Sequence, residues 1–373
     1  MIDVAIAGAG IMGASVAYWL KRLRPELSVA LIERDRTFAR ASSALSASSI
    51  RQQFSSPANI AMSLFGAQFL REMGIAFNES GYLYLGSRSV FEKLNAVQQQ
   101  CGADIALLGP DELAARFPWL NISDIEAGSL GLSGEGWFDG AALHMALLLG
   151  ARSAGAKVID GEAVGFSIRN DAIQTIDLVD GSRVACRHAV NAAGPWARPL
   201  AARAGVELPV HARRRTVFVL SCPAPLQDCP LLIDPTGFWF RPDGELFIAG
   251  DEPARDEDDL PLEPDLAAFD EALWARMAHR VPAFEALRVE RAWAGYYEMN
   301  LFDHNAIIGP HPKVANLWFI NGFSGHGMQH APAAGRGLAE LIVSGRYETL
   351  DLSPLRFERV AEGKPLVEAN IIG

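Results

Sequence analysis

The chain has 373 residues, half of them hydrophobic and 21% charged, which are proportions typical of a globular protein with a buried core. Its 33 basic and 44 acidic side chains give a formal net charge of −11, which argues against nucleic acid or an anionic membrane as a main partner because both require clustered Lys and Arg. The four cysteines form no CxxC pair and no zinc-binding spacing, and no signal peptide or bilayer-spanning segment is evident, so we expect a cytoplasmic protein with reduced thiols and no metal.

The chain begins with a pattern of strand, glycine turn, helix and strand. Residues 3–7 (DVAIA) and 28–32 (SVALI) are short apolar runs typical of buried strands. GAGIMG at 8–13 lies between them and is followed by a helical pattern through Lys21. This frame predicts the first half of a dinucleotide-binding unit.

Three glycines and one acid of this unit have separate predicted roles. Gly8 permits a tight turn, Gly10 lets the backbone approach a pyrophosphate, and Gly13 lets the helix pack close to the strand. Glu33 ends the second strand, 20 residues after Gly13. A carboxylate there can bind the hydroxyls of a ribose and repels a 2′-phosphate, so we expect a dinucleotide other than NADP.

The middle of the chain departs from a simple doubly wound pattern. A serine- and alanine-rich stretch, 41–49, is too small and polar to form core, and predicts an ordered loop around a ligand. Asp139 is placed as an N-cap for the helix that follows it. Predicted helices cover 58–72, 90–100 and 140–153, and predicted strands cover 81–85, 157–159, 163–168, 172–179, 184–191 and 210–220.

Towards the C-terminus the pattern returns to strand, glycine-rich loop and helix. Strands 237–241 and 246–250 flank a PDG turn and predict a hairpin. An acidic, proline-bearing loop is expected at 251–265. The remaining predicted elements are a helix over 265–279, a strand over 317–320, a loop over 321–327 and a helix from about 332 to 344.

Three separated sites rich in glycine or alanine favour FAD over NAD. No third strand follows soon after the second, as it does in most NAD-binding domains; instead AVNAAG at 189–194 is expected to return to the same sheet far downstream. GFSGHG at 322–327 precedes the C-terminal helix, where backbone N–H groups and a helix dipole can stabilise the negative charge of a reduced flavin.

The predicted fold class is α/β with an α+β second domain. The Rossmann-like FAD-binding domain is expected to be discontinuous, assembled from residues 1–80, 140–205 and 300–373. A mostly antiparallel sheet domain that binds the substrate, formed by 81–139 and 206–299, is interleaved with it.

These motifs together resemble the D-amino-acid-oxidase-like FAD oxidoreductases, nearest the branch of sarcosine oxidase, glycine oxidase and dimethylglycine dehydrogenase. The resemblance covers nearly the whole chain, and its segments are GAGIMG, SALSASSIRQQFS, SGYLYLG, GWFDGAALHMALL, NAAGPWA, GFWFRPDGELFIAGD and GFSGHGMQHAPAAGRGLAELI. It implies FAD as the cofactor and a substrate domain whose sheet covers the flavin.

Carried over by motif, the resemblance implies roles for individual residues. Those implied to hold the ADP half are Gly10, Ile11, Met12, Glu33 and Arg34, with Ser42, Ser43 and Ser46 along the phosphates and flavin edge and Ala163 and Val164 at the adenine. Those implied to flank the middle of FAD and the isoalloxazine are Ala193, Gly194, Trp196, Gly322, Gly325, His326, Gly327 and Met328.

Three departures from the family pattern bear on the chemistry. Some members attach FAD through a cysteine in the segment matching 293–298, where this chain has Gly295, so we expect noncovalent FAD. The lysine that sarcosine oxidases use for oxygen reactivity is missing from 246–250, and Gln329 replaces a lysine that binds substrate carboxylate. The expected enzyme is therefore a dehydrogenase or an oxidase, with an electron-transfer protein or quinone as the alternative acceptor to oxygen.

The candidate catalytic residues are Arg51, Tyr297, His326 and Trp239. Arg51 can hold a substrate carboxylate in two parallel hydrogen bonds, although a surface salt bridge is the alternative interpretation. Only one of Tyr296 and Tyr297 is expected to face the site, and Tyr297 is favoured. Packing is the alternative role for the tyrosines and for Trp239, and a backbone-only role is the alternative for the loop of His326.

Two further patterns bear on function. The basic run 213–215 is either a solvated edge or part of the substrate wall. His326 and His330 have the spacing of a metal-binding pair, but the neighbouring glycines predict that no regular helix forms there, and no third ligand is evident.

The predicted function is FAD-dependent oxidation of a small amine or amino acid, with hydride transfer from the carbon next to nitrogen to flavin N5 and hydrolysis of the resulting imine. The first alternative is oxidation of a 2-hydroxy acid. The second is a non-catalytic flavin-binding assembly factor, because the chain also resembles a mitochondrial FAD protein that takes part in assembling respiratory complex I.

Overall fold

A computed structural model describes residues 1–258 and 260–368. In chain order its strands, β1 to β19, are Ile2–Ala7, Val29–Glu33, Ser49–Ile50, Phe77–Asn78, Tyr82–Gly86, Ile105–Leu108, Ala127–Gly131, Gly136–Phe138, Lys157–Asp160, Ala163–Arg169, Ala172–Leu178, Arg183–Asn191, Val210–Ser221, Leu231–Ile233, Trp239–Asp243, Leu246–Gly250, Arg288–Asn300, Ile307–Pro310 and Leu317–Asn321. The α-helices, α1 to α9, are Ile11–Leu23, Pro57–Glu72, Arg88–Gln100, Pro110–Arg116, Gly140–Ser153, Ala197–Ala202, Glu271–Arg280, Gly327–Ser344 and Glu358–Ala361.

The first large sheet is built from strands that are far apart in sequence. Its order is β10-β11-β12-β1-β2-β9, with β19 beside β12 and β18 beside β19. Strands β12, β1, β2 and β9 are parallel neighbours, and β19 runs parallel to β12. The predicted return of residues 189–191 to the sheet of β1 is confirmed, because Ala189 is in register with Ala5 and Asn191 with Ala7.

The second large sheet is mostly antiparallel, as expected. Its order is β17-β13-β16-β15-β14-β5-β7-β6, and the parallel pair within it is β14 with β5. The PDG hairpin forms between β15 and β16. Its strands come from 82–131 and 210–300, whereas the strands of the first sheet come from 2–33, 157–191 and 307–321. The division into two domains at the stated boundaries stays a prediction.

Helices α1 and α8 pack closely and begin on the same side of the first sheet. The Ser15 hydroxyl donates to the Ala331 carbonyl at 2.7 Å, and the Trp19 indole donates to the Pro332 carbonyl at 2.8 Å. A Cβ on Gly335 would lie 2.2 Å from the Ser15 hydroxyl oxygen, so the close approach of the two helices requires glycine. This packing brings the amino ends of both helices to the lining of one cavity.

Most predicted elements are confirmed, and two helix starts are corrected. Helix α5 covers the predicted range, and the Asp139 carboxylate accepts from the Ala142 N–H at 2.8 Å. Helix α7 begins at Glu271 and not at 265, because Asp270 caps it and residues 266–268 form a separate 3₁₀ turn. Helix α8 begins at Gly327, five residues before the expected start, so Pro332 lies inside it.

The length and hydropathy of the helices bear on membrane insertion. Among residues 1–258 and 260–368, no helix is long and apolar enough to cross a membrane.

Candidate active site

A cavity of about 520 Å³ is lined by residues from both large sheets and from the loops between them. The predicted cofactor residues that line it are Gly8, Gly10, Ile11, Met12, Glu33, Arg34, Ser42, Ser43, Ser46, Ala163, Ala193, Gly194, Trp196, Gly325, Gly327 and Met328. Arg51, Trp239, Tyr297 and His326 line the same cavity. The fold therefore brings the three separated glycine- and alanine-rich segments and the candidate catalytic residues together.

The glycines of GAGIMG meet three different steric demands. Gly8 has a φ of +104°, and a Cβ on it would lie 2.4 Å from the Ala192 carbonyl oxygen. A Cβ on Gly13 would lie 2.0 Å from the Gly8 carbonyl oxygen, so Gly13 serves helix packing and does not line the cavity. At Gly10 the nearest atom to a built Cβ is the Ser43 hydroxyl oxygen at 3.7 Å. Gly10 thus leaves open space where a ligand can approach the backbone.

The serine-rich loop lies against this open space. The Ser43 hydroxyl is buried and has no hydrogen-bond partner in the structure. The Ser42 hydroxyl, by contrast, donates to the Tyr296 carbonyl at 2.6 Å and ties the loop to β17. An unsatisfied buried hydroxyl beside the amino end of α1 fits an anionic diphosphate, which supplies acceptors for both.

Glu33 holds the glycine turn from the end of β2. Its carboxylate accepts from the Ala9 N–H at 2.9 Å and from the Asp35 N–H at 3.0 Å. These two bonds fix the carboxylate at the cavity wall, in the place where a ribose binds in dinucleotide folds.

Of the two residues predicted to contact the adenine of FAD, one lines the cavity. Ala163 lines the cavity, but Val164 is 40% exposed and does not, because adjacent side chains on a strand point to opposite faces. Nearby, the Arg34 guanidinium lies 3.7 Å from the Trp196 ring centroid and 3.4 Å from a Glu162 carboxylate oxygen. Arg34 and Trp196 thus contact each other in the lining of the cavity.

The glycine-rich loop before α8 packs under β17. Gly325 has a φ of +93°, and a Cβ on it would lie 2.4 Å from the Tyr297 ring. Gly322 also has a positive φ, but it packs against Val210 and Asn300 and lies outside the cavity lining. The loop carries Gly325, His326 and Gly327 to the cavity at the amino end of α8.

The prediction that no regular helix forms around His330 is wrong. Because α8 begins at Gly327, His330 is helical, and its ring accepts or donates a hydrogen bond with the Ser63 hydroxyl at 2.9 Å. In the part of the chain that the structure describes, no group of three or more His, Cys, Asp or Glu side chains can hold a metal.

Arg51 is buried beside two aromatic rings. It is 3% exposed, and its guanidinium lies 4.0 Å from the Phe54 ring centroid and 5.8 Å from that of Tyr84. The guanidinium donates to the Gln53 carbonyl at 2.9 Å, and the Gln329 side chain accepts from the Arg51 N–H at 2.7 Å. A surface salt bridge is therefore the wrong interpretation of Arg51.

Burial and Arg51 together set the protonation of the neighbouring histidines. Burial, then His330 and Arg51, holds the pKa of His326 well below its usual value. Burial, with a smaller effect of Arg51, lowers the pKa of His330 to about 3. Both imidazoles are neutral at physiological pH, and the Nε2 atom of His326 is buried without a partner.

Both tyrosines of β17 line the cavity, whereas only one was expected to. They do so from opposite faces of the strand. The Tyr296 hydroxyl donates to the Leu260 carbonyl at 2.6 Å and its ring meets Trp196 edge to face. The Tyr297 ring packs on Gly325, and burial raises its pKa while Arg215 and Arg51 act in the opposite direction.

Two further charged groups, Arg215 and Glu298, belong to this wall. The sequence left the run 213–215 open between a solvated edge and the substrate wall, and it did not single out Glu298. Arg215 lines the cavity, which settles the position of one member of the basic run 213–215. Glu298 also lines it, and burial raises the pKa of this carboxyl to about 7. Arg213 and Arg215 are two residues apart on β13 and therefore share a face, but Arg215 lines the cavity whereas Arg213 does not.

Comparison with known proteins shows which family this chain resembles. The model of the DAO family, described as FAD dependent oxidoreductase, matches residues 3–341. FAD-dependent oxidoreductase domain-containing protein 1 of Xenopus laevis is 43% identical over 99% of this chain and 85% of its own length. Human mitochondrial dimethylglycine dehydrogenase is 27% identical over 95% of this chain, which corresponds to 44% of that protein.

Solved structures share the whole architecture. L-proline dehydrogenase from P. horikoshii superposes with a TM-score of 0.88 at 26% identity, covering 98% of this chain and 99% of that one. Glycine oxidase from Geobacillus kaustophilus has a TM-score of 0.79 at 24% identity, covering 95% and 98%.

Proposed function

The chain belongs to the DAO family of FAD-dependent oxidoreductases, with FAD as its cofactor, and from that premise we propose that it oxidises the CH–NH bond of a small amine or amino acid. FAD, when bound, supplies the acceptor for the hydrogen and electron pair that leave the substrate carbon. The observation that supports this proposal most is Arg51, a buried guanidinium in the cavity that also contains the predicted flavin segments.

We propose that Arg51 binds and orients the substrate carboxylate. A guanidinium presents a rigid fork of donors that matches a carboxylate, and Phe54 and Tyr84 hold this fork in place through their rings. The deep position excludes water, so the ion pair is stronger here than it would be at the surface. Orientation of this kind is what removes most of the entropic barrier in a reaction that needs little acid–base chemistry.

The electrostatic surroundings favour an uncharged substrate amine. The burial and positive charge that lower the pKa values of His326 and His330 act on any basic nitrogen nearby in the same direction. A neutral amine leaves the C–H bond next to nitrogen easier to oxidise. We propose that His326, through its unpartnered Nε2, accepts a hydrogen bond from this nitrogen. Tyr297 and Trp239 are proposed to form the cavity walls.

The experiment is anaerobic reduction of the bound flavin by a panel of N-methyl glycines, D- and L-amino acids, imino acids and 2-hydroxy acids. We expect an amine or amino acid to bleach the flavin. Reduction by hydroxy acids alone supports the alternative substrate class, and reduction by no member supports the assembly-factor alternative. Mixing the reduced protein with oxygen then separates an oxidase from a dehydrogenase that uses an electron-transfer protein or quinone.

The Arg51→Gln variant tests the anchoring role. Loss of a charge-assisted pair in a buried site should weaken the apparent affinity for a carboxylate substrate by roughly 10- to 100-fold, with FAD content unchanged. Arg213→Gln is the matched control, since Arg213 contacts Asp256 and Asp258 and does not line the cavity. An Arg51→Gln protein with unaltered affinity for the substrate contradicts the assignment.

Two associated predictions remain to be measured. We propose that FAD is bound noncovalently, because Gly295 lines the cavity where some members of the family carry a linking cysteine. When the protein is denatured and removed by filtration, FAD should therefore remain in the filtrate. The cytoplasmic location expected from the sequence stays a prediction, and one relative is named as mitochondrial.

A further inference from the structure

A histidine outside the cavity contacts the glycine turn that lines it. His144 lies on α5 and is 5% exposed. Its Nε2 atom is 2.8 Å from the carbonyl oxygen of Ala9, the residue between the first two glycines of GAGIMG. Gly8 and Gly10 line the cavity, whereas His144 and Ala9 do not. The hydrogen bond therefore reaches the turn from outside the space that is open to a ligand.

Packing on two sides fixes the position of His144. A Cβ on Gly150, near the other end of α5, would lie 2.8 Å from the Tyr18 ring, so α5 is in close contact with α1. The Phe38 ring lies 4.7 Å from the imidazole, centroid to centroid, and meets it edge to face. Because interiors are close-packed, a ring enclosed in this way is held in one orientation.

The imidazole is the hydrogen-bond donor in its contact with Ala9. A carbonyl oxygen can only accept, so the proton of this bond lies on Nε2. Burial lowers the pKa of His144, against smaller opposing effects of the Ala9 carbonyl and Glu33. The ring is therefore neutral at neutral pH, and its one N–H group is the one that Ala9 accepts.

Side chains hold both peptide groups of Ala9. The Ala9 N–H donates to the Glu33 carboxylate at 2.9 Å, and the Ala9 carbonyl accepts from His144. In a planar trans peptide, a carbonyl and the N–H of the next residue point in opposite directions. Because the Ala9 carbonyl points to α5, the Gly10 N–H points towards the cavity. Gly10 is the N-cap of α1, a position where N–H groups have no acceptor within the helix.

The surroundings of Gly10 fit an anionic acceptor. The Ser43 hydroxyl oxygen lies 3.7 Å from a Cβ built on Gly10. This hydroxyl is buried and has no hydrogen-bond partner among the residues that the structure describes. A diphosphate supplies acceptors for the Ser43 hydroxyl and the Gly10 N–H together.

We propose that His144 is a positioning residue for FAD, because its hydrogen bond to the Ala9 carbonyl orients the Gly10 N–H to donate to the FAD diphosphate. Without this donor the Ala9 carbonyl would be buried and unsatisfied, which favours rotation of the peptide and loss of the Gly10 N–H from the cavity side. The inference concerns cofactor binding and goes beyond the proposed function, since it does not depend on which substrate is oxidised.

Two variants of similar shape separate the donor from the packing. Glutamine and methionine have side chains of similar length and both are good helix formers, but only glutamine can donate to the Ala9 carbonyl. The FAD-free form of each variant is titrated with FAD, and the quenching of flavin fluorescence measures binding. We expect His144→Met to raise the Kd for FAD roughly tenfold, and His144→Gln to stay within about threefold of the wild type.

Leu147→Ala is the matched control for the packing of α5. Leu147 is buried on the same helix and does not line the cavity. The void that its truncation leaves should lower the melting temperature of the FAD-free protein. The Kd for FAD should stay within about threefold of the wild type, because the hydrogen bond to Ala9 is intact.

Phosphorus NMR of the FAD-bound proteins reports on the diphosphate directly. We expect the resonances of the bound diphosphate to shift in His144→Met and to keep their wild-type positions in His144→Gln. A loss of stability that left the Gly10 N–H in place would not move them.

Equal affinity of the Met and Gln variants for FAD overturns the inference, whether both bind tightly or both bind weakly. So do unchanged phosphorus resonances in His144→Met, or a Leu147→Ala protein that loosens FAD as much as His144→Met does. If His144→Met does not fold, His144→Asn takes its place, because the shorter amide cannot reach Ala9. None of these measurements involves a substrate, so their outcome is independent of the proposed oxidation.

Discussion

Replacing Glu33 by Gln should loosen FAD without removing the fold that binds it. The Glu33 carboxylate accepts two backbone N–H groups, from Ala9 and Asp35, and lines the cavity at the predicted ribose position. A glutamine has nearly the same shape, but it has one acceptor oxygen and no charge. The variant therefore removes the charge and one of the two acceptor oxygens while keeping the size of the side chain.

The expected magnitude follows from the bonds that change. Hydrogen bonds to a charged group contribute about 1.5–3 kcal/mol, and neutral ones roughly half as much. If both ribose hydroxyls donate to the carboxylate, the substitution costs about 2 kcal/mol of binding free energy, which corresponds to roughly a 30-fold higher Kd for FAD. A separate loss of stability is expected, because one backbone N–H at Ala9 or Asp35 then faces the amide nitrogen.

The assay is a titration of FAD-free protein with FAD, in which the quenching of flavin fluorescence measures binding. Glu162→Gln is the matched control, because Glu162 lines the same cavity but is half-exposed and pairs only loosely with Arg34, at 3.4 Å. It should change the binding free energy by less than about 1 kcal/mol. A Glu33→Gln protein that binds FAD as tightly as the wild type, or a control that loosens FAD as much, refutes the ribose assignment.

Two further predictions concern the glycine turn and pH. Gly10→Ala should weaken FAD binding and leave the stability of the FAD-free protein unchanged. Gly13→Ala should lower the stability itself, because its Cβ would lie 2.0 Å from the Gly8 carbonyl oxygen. Thermal unfolding of the two FAD-free variants separates these effects, and equal melting temperatures contradict the steric argument. Burial raises the pKa of Glu135 to about 7, against 4.5 for a free glutamate, so the folded protein holds a proton that the unfolded chain releases. The free energy of unfolding should therefore fall as pH rises from about 4.5 to 7, and Glu135→Gln should flatten that dependence in urea titrations; an unchanged slope contradicts the assignment.

The local sequence pattern was sufficient to predict features that are formed within one continuous stretch of the chain. The Asp139 cap depends on a residue three positions away, and the structure confirms it. Gly10 and Glu33 belong to one continuous unit of strand, turn, helix and strand, and both line the cavity. The start of α8 was misplaced because a proline is usually found in the first turn of a helix, whereas here Pro332 lies inside the helix and its carbonyl accepts a hydrogen bond from the Trp19 indole of α1.

The sequence by itself predicted that three glycine- and alanine-rich segments lie around one extended cofactor, since close approach of a backbone to a ligand requires small residues that can be seen in the sequence, and the structure brings members of all three segments to one cavity. Only the tertiary structure decided which side chains meet across the cavity. Arg51 and Arg215 are separated by more than a hundred residues, and no periodicity relates them. Their shared cavity depends on the pairing of β13 with β17 and on the burial of the segment after the serine-rich loop. Both depend on contacts between segments that are far apart in sequence, and such contacts leave no local pattern.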